Sequence, residues 1–431
     1  VQAEGAKVSM WNKTYELDGL GLARRVVNAG RTQLAGPMRL LAVVDGKEHE
    51  VRAGPPAVAK RTDAAAELKG SASLGALRFE GESRVEFDGC VINTMRIVPD
   101  GRVPLERLWL EVAMPKDEAE CFVTTSGGWS STFGWTPQKW DSRDGAAGSM
   151  TYPFVPYLFL TDSDRGFCLF VDSLRGWVLQ PGLPVQELLT DGERVVLRLH
   201  FVTRGGALEA PTTLRYGWVV TPQKPPPANW RAYTINYHPR YPQQKAVFYG
   251  MDSTNWAVVY PYYSSPFPWD YEKSTAAFDL AKQRRTALCA GNIMHSIARY
   301  QDYKGRKFYP VAADWGSVMG ETGMCDVALS DGPNDFRLWH WDQWIRKSGL
   351  NGLYFDETYL DADRNYLTGG AFLMADERIH PGYHFLGMRE HSKRLRYLFD
   401  AHGMNGMDQA RLWYHTTSQH PVHAWMPDVA M

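Results

Sequence analysis

The sequence is poor in cysteine and has no excess of charge of either sign. Five cysteines, Cys90, Cys121, Cys168, Cys289 and Cys325, are spread over 431 residues with no CxxC pair. That argues against a disulfide framework or a structural zinc site and for buried free thiols. Basic residues number 47 and acidic ones 48, so there is no electrostatic ground for a nucleic-acid partner or an anionic membrane. No apolar run approaches the roughly 20 residues that span a bilayer. The opening "VQAEGAKVSM" has neither the basic nor the apolar region of a signal peptide. No internal repeat is visible, and the glycine-rich "SGGWSSTFGW" (126–135) lacks the lysine and helix entry of a phosphate loop.

Aromatic residues, by contrast, are plentiful: 16 Trp, 21 Tyr and 18 Phe. Such side chains fill cores and also stack on the apolar faces of sugar rings, so their positions must decide between the two uses. At 431 residues the chain is long enough for two or three domains. Residues 1–221 read as strands. "ALRFEGESRVEFDGCVINTMRIVPDG" alternates apolar and polar residues, with turn signals at Gly81, Gly89 and Pro99–Gly101. "FVPYLFLTDSDRGFCLFVDSLRGW" reads as two strands about a "DSDRG" turn, and "ERVVLRLHFVTRGG" and "TTLRYGWVVTP" continue the pattern. Helix-like content shows only near "GLARRVVNAG". A large antiparallel β-sandwich is expected.

In "TPQKPPPANW" the prolines Pro222, Pro225, Pro226 and Pro227 exclude a helix or central strand. Residues 222–229 are therefore expected to be a stiff linker between domains. From 230 to 431 strands alternate with helices. "WAVVYPYY" is followed by helical "DYEKSTAAFDLAKQRRTA", and "NIMHSIARY" reads as a strand. Helical "NDFRLWHWDQWIRKSG" offers Phe336, Leu338, Trp341 and Ile345 for packing and ends at Gly349. "NGLYFDE", helical "YHFLGMREHSKRLRYLFDAHG" and the strand "ARLWYHTT" complete the series. This alternation predicts parallel βαβ units and favours a (β/α)8 TIM-type barrel over an open doubly wound sheet. Only about five or six strands can be read, fewer than a closed barrel needs, so the barrel is expected to be incomplete at the end of this chain.

"SGLNGLYFDETYLD" (348–361) carries the chemistry. If Leu353 and Phe355 face the helices, Tyr354 and Asp356 point the other way. Glu357 follows where the strand opens into its loop, at the edge where barrel enzymes hold their active sites. Adjacent carboxylates push each other's pKa values apart, so that one stays protonated as an acid while the other stays charged. The plainer reading is a loop cap or a pair with Arg364. Tyr414 and His415 end another expected strand, and Asp314 and Trp315 lie in "AADWGS". Together with Tyr262, Tyr359 and Trp425 they are candidate sugar contacts, each with core or loop packing as the alternative. "DADRN" (361–365) opens like a calcium loop, but Tyr366 stands where its glycine belongs and Phe372 where its last glutamate belongs. His340 and Asp342 do not share a helix face. No metal and no cofactor are expected.

"GLNGLYFDET", "YLFLTDSDRGFCLFVDSLRGW" and "LRYGWVVTPQKPPPANWR" resemble glycoside hydrolase family 123 and its relatives, an N-terminal sandwich joined to a TIM-type catalytic barrel. The resemblance implies a β-N-acetylgalactosaminidase that uses the substrate's own acetamido group. Carried over, Glu357 is the general acid and then the base that activates water. Asp356 holds the acetamido nitrogen and stabilises the oxazolinium ion. Adjacent acids suit this scheme, since a two-carboxylate retaining enzyme sets its acids about 5 Å apart across the bond. The partner is then a glycan or oligosaccharide, and the protein is secreted or periplasmic, with its export signal not in this chain. Two alternatives stay open. One is a hydrolase of other specificity with a protein nucleophile or base such as Asp314. The other is a non-catalytic carbohydrate-binding protein on the same scaffold.

Overall fold

The computed structural model describes residues 1–124 and 150–224, apart from 153 and 163. Beyond these it describes 233–234, 245–246, 290–293, 296–298, 302–303, 306–307, 316–319, 324–327, 329–348, 352–356, 363, 365–367, 370–374, 377–403, 411–414, 422 and 429–430. The chain divides into two compact units. The first comprises Val1–Lys224 with Leu373–His380 and Gln419–Val422, and the second Pro225–Phe372 with Pro381–Ser418 and His423–Met431.

The first unit is antiparallel throughout its three larger sheets. An eight-stranded sheet runs in the order Cys121–Thr124, Tyr157–Thr161, Gly166–Phe170, Thr212–Thr221, Val91–Pro99, Leu77–Glu86, Ala65–Leu74, Ala57–Arg61. A six-stranded sheet runs Met150–Tyr152, Gln186–Asp191, Arg194–Val202, Arg107–Pro115, Arg39–Val44, Lys47–Val51. A five-stranded meander is built from the first 32 residues, Gln2–Glu4 to Arg31–Thr32. The alternation read in "ALRFEGESRVEF" is real: Leu77, Phe79, Gly81, Ser83 and Val85 are buried along one face. The inner faces of the two large sheets meet where the Phe201 and Tyr216 rings lie 5.3 Å apart.

Two local expectations fail here. "GLARRVVNAG" contains no helix; Ala23–Asn28 is a strand of the meander, paired antiparallel with Lys13–Leu17, its Ala23, Val26 and Asn28 buried and its two arginines exposed. Gly81 is not a turn residue but sits mid-strand, opposite Gly70. A Cβ at Gly81 would lie 2.6 Å from the Gly19 carbonyl oxygen, and one at Gly70 would lie 2.4 Å from the Gly19 Cα. The Gly19–Leu20 backbone crosses the sheet in contact with it, and only glycine leaves room. The proline-rich segment begins inside this unit. Gln223 is buried, its carbonyl accepts from Lys13 Nζ at 2.9 Å, and its side chain reaches Asp88 at 3.3 Å. Residues 225–232 lie outside the described residues.

The second unit holds a four-stranded sheet in the order Ala290–Ile293, Gly352–Asp356, Arg411–Tyr414, Val429–Ala430, parallel at every pairing. Helix α1, Asp331–Ser348, leads into the second of these strands, and helix α2, Phe385–Ala401, into the third. Asp331 and Pro333 in the first turn of α1 suit a helix start, where acid favours the dipole and a missing N–H costs nothing. Gly403, at φ +70°, closes α2 and donates to the Asp400 carbonyl at 2.9 Å. A closed eight-stranded barrel is not shown. Among the described residues the parallel strands are these four and the pair Tyr233–Thr234 and Lys245–Ala246. Ser296–Ala298, Met324–Val327 and Gly316–Met319 form an antiparallel sheet, so "NIMHSIARY", read as one strand, is divided between this sheet and the parallel one.

Candidate active site

Phe355 fixes the orientation of the strand Gly352–Asp356. It is buried at 1% exposure and meets three rings edge-on: Trp341 of α1 at 6.0 Å, His391 of α2 at 6.0 Å and Tyr414 of the next strand at 5.6 Å. Edge-to-face packing of this kind places the ring's positive rim on a neighbour's negative face. The strand is thereby locked under both helices. Asp356, the next residue, is the last of the strand and pairs in register with Ile293. It stands at the carboxyl end of a parallel sheet with a strand on either side, the place where α/β folds present ligand-binding loops. Glu357 is its sequence neighbour and lies outside the described residues.

Tyr414 pairs with Phe355 and shares its helix-facing side. It is fully buried, and its hydroxyl donates to Ser392 Oγ of α2 at 2.7 Å, which in turn donates to the Met388 carbonyl at 2.9 Å. Burial pushes the phenol's pKa up. This is the environment of a core tyrosine and corrects its candidacy as a sugar contact. The reason is register: one residue's shift along a strand exchanges the two faces. Tyr414→Phe is expected to lower stability by about 1 kcal/mol, the worth of one buried hydrogen bond, and to leave KM unchanged. Urea denaturation beside steady-state kinetics checks both. Tyr354 lies within the described strand, between Leu353 and Phe355. Tyr262, Asp314, Trp315, Tyr359, His415 and Trp425 lie outside the described residues.

His391 was not singled out by the sequence, where it is one histidine in a charged helix. Its ring is completely buried, and among the described residues neither nitrogen has a hydrogen-bond partner. Burial first, and then the charges of Arg337 and Arg394, hold its pKa well below the ordinary 6.5. In acid the unfolded chain therefore takes up a proton that the folded chain refuses. Stability falls as pH drops below about 6.5, the ordinary value that the unfolded chain keeps. His391→Leu is expected to be more stable at neutral pH by about 1 kcal/mol, since two unsatisfied polar atoms disappear. It should also lose part of the acid-side decline in melting temperature between pH 7 and pH 5. Thermal denaturation across that range checks both, and parallel curves for the two proteins would refute the assignment to His391.

Between Asp356 and α2 in the chain, Asp363 is held by several contacts. That residue is 3% exposed, exchanges backbone hydrogen bonds with Gly382 at 2.8 and 3.1 Å, and accepts the Asn365 N–H on Oδ1 at 2.7 Å. Oδ2 lies 2.6 Å from His384 Nε2. His384 itself precedes α2 in a left-handed conformation, φ +50°, which costs a non-glycine residue of order 1 kcal/mol. Asp363 and Asn365 of "DADRN" thus make an Asx turn, and Asp363 with His384 a carboxylate–imidazole clasp. Its signal was the Asp-x-Asn spacing, which serves a turn as well as it serves calcium. Among the described residues no cluster of metal-ligating side chains occurs. Cys90 and Cys168 are buried free thiols, and Cys121 is a half-buried one.

Together these observations define an antiparallel β-sandwich protein with a second, parallel βα unit whose central strand ends in a carboxylate. The family model described as glycoside hydrolase 123, third domain, matches residues 1–147, and over this segment the chain is glycoside hydrolase family 123-like. No curated protein matches the chain in sequence. Among solved structures, an alpha-galactosidase from Lactobacillus brevis is 9% identical at a TM-score of 0.36, with 95% of this chain and 69% of that one covered. An alpha-mannosidase from Enterococcus faecalis is 10% identical at 0.33, covering 51% of this chain and 29% of that one. A GalM/aldose epimerase homologue from C. elegans is 9% identical at 0.33, covering 51% and 99%. These TM-scores are low, and no chemistry of this chain follows from them.

Proposed function

We propose that the protein is a glycosidase, and specifically a retaining exo-acting enzyme that releases N-acetylhexosamine, with β-linked N-acetylgalactosamine as its substrate. The observation that carries this reading is the position of Asp356, last residue of a strand flanked on both sides by parallel strands, next to the buried Phe355 and followed at once by Glu357. The match of residues 1–147 to a glycoside hydrolase domain supports the same class. In this scheme the acetamido oxygen attacks the anomeric carbon while Asp356 accepts a hydrogen bond from the acetamido N–H. Glu357 gives its proton to the departing glycosidic oxygen. Glu357 then takes a proton from water as that water opens the oxazolinium ion, which restores the acid and releases the sugar with its configuration retained. The domain arrangement proposed with it is a sandwich over residues 1–221, a linker over 222–229 and a barrel-type catalytic domain over 230–431.

A panel of aryl β- and α-glycosides, with and without the 2-acetamido group, tests the reading. Hydrolysis confined to the β-linked 2-acetamido sugars, with inhibition by a thiazoline that mimics the oxazoline, is the expected result. Equal rates on sugars lacking the acetamido group would favour a protein nucleophile, and no hydrolysis of any member would favour a binding protein.

A further inference from the structure

The six-stranded sheet of the sandwich carries a polar cluster on the face away from the core. Leu197, Leu199 and Phe201 point inward, so Arg198 and His200 point outward. His200 is nevertheless 2% exposed, as is Trp109, which stands opposite it in register. His200 Nε2 lies 2.6 Å from Glu187 Oε2, and Arg198 Nε lies 2.7 Å from Glu111 Oε1. The Trp109 indole N–H donates to the same Glu111 oxygen at 3.2 Å, and the Arg107 guanidinium sits 4.9 Å above the Trp109 ring. A strand face that only met solvent would gain nothing from burying an imidazole, a carboxylate and an indole there.

Beside this cluster opens a cavity of about 460 Å³, within the range of about 300–1,000 Å³ typical of small-ligand sites. His200 forms part of its wall, Arg107 and Arg204 bring two guanidinium groups, Glu106 a carboxylate, and Leu183 and Pro184 an apolar side. The frame is rigid. Gly205 N–H donates to the Glu106 carbonyl at 2.7 Å and Leu105 N–H to the Gly206 carbonyl at 2.9 Å. A Cβ at Gly205 would lie 2.1 Å from the Leu105 carbonyl oxygen, so the two turns touch through a glycine. Among the described residues neither Arg107 nor Arg204 enters a salt bridge. Glu106 uses one oxygen to accept the Gly46 N–H at 2.8 Å, which leaves the other as an acceptor. Arg204, and Arg107 held over Trp109 with Glu187 as an electrostatic neighbour, set two guanidinium groups against the one carboxylate of the lining, which favours an anion, while a carboxylate acceptor beside an apolar wall suits hydroxyl groups on a ring.

We propose that this cavity, lined by residues of the first unit, is a second saccharide site for a sugar residue carrying a carboxylate or a sulfate ester. The saccharide part rests on the glycosidase reading above; the preference for an anion rests on the lining alone. Isothermal titration calorimetry of the full chain with methyl β-D-glucuronide, methyl β-D-galactoside 6-sulfate, methyl β-D-glucoside and inorganic sulfate tests it. At least one of the two anionic sugars should bind about tenfold or more tightly than the neutral glucoside, and the tighter of the two identifies the anion. Arg204→Ala and Arg107→Gln should each weaken that binding about tenfold or more. Arg204→Ala should hydrolyse a small aryl glycoside at the unchanged rate, since neither Asp356 nor Glu357 is altered. Equal binding of anionic and neutral sugars, or no binding of either anionic sugar to folded protein at millimolar concentration, would overturn the proposal. So would binding that neither variant weakens, or inorganic sulfate binding as tightly as the sugars. Because calorimetry reads a site without Asp356 or Glu357, its failure is distinct from a failure of the hydrolysis panel.

Discussion

Glu357→Gln is expected to lose about 10²–10⁴-fold in rate on substrates with poor leaving groups, the usual contribution of general acid catalysis. The amide is nearly the size of the acid but has no proton of suitable acidity to give the glycosidic oxygen. An aryl leaving group of low pKa departs without that proton, so the variant should keep much more of its activity on a dinitrophenyl glycoside. The discriminating quantity is the slope of log kcat/KM against leaving-group pKa, which should be steeper for the variant than for the unaltered enzyme. Near-equal slopes and near-equal rates would remove Glu357 from the mechanism.

Asp356→Asn should be slow on every leaving group. Its carboxylate is proposed to face an N–H that becomes strongly acidic as the oxazolinium ion forms, so its charge matters most in the transition state. Asparagine removes the charge and can turn an amide donor toward that N–H. A loss of about 10²–10³-fold, or roughly 3 kcal/mol, is expected from comparable electrostatic contacts. Leaving-group acidity should rescue this variant far less than Glu357→Gln, because cyclisation precedes or accompanies departure. Azide gives a second reading. If Asp356 were a covalent nucleophile, Asp356→Ala with azide would yield an inverted glycosyl azide and the enzyme would be indifferent to a thiazoline. Substrate assistance requires neither, so that pair of results would reject it.

The sequence by itself determined what depends on local pattern. Strand alternation in Leu77–Glu86 and Val91–Pro99, the "DSDRG" hairpin, the two helices and the strand ending in Asp356 were all legible. Each is specified by side-chain period and by turn or cap residues a few positions away. The place of Asp356 at the strand's end was legible for the same reason, since a polar break after an apolar run marks where a strand stops. What the tertiary structure decided is which distant groups meet. Gly81 looked like a turn because nothing nearby in sequence shows that the Gly19–Leu20 backbone crosses it. Tyr414 looked like a site residue until register with Phe355 set it against Ser392. "NIMHSIARY" read as one strand, yet pairing is chosen by the neighbour: Asn292 and Ile293 join the parallel sheet and Ser296–Ala298 an antiparallel one. His391, the Asp363–His384 clasp and the cavity between Arg107 and Arg204 were invisible for one physical reason. Burial and proximity are properties of the folded chain, and a side chain's chemistry depends on both.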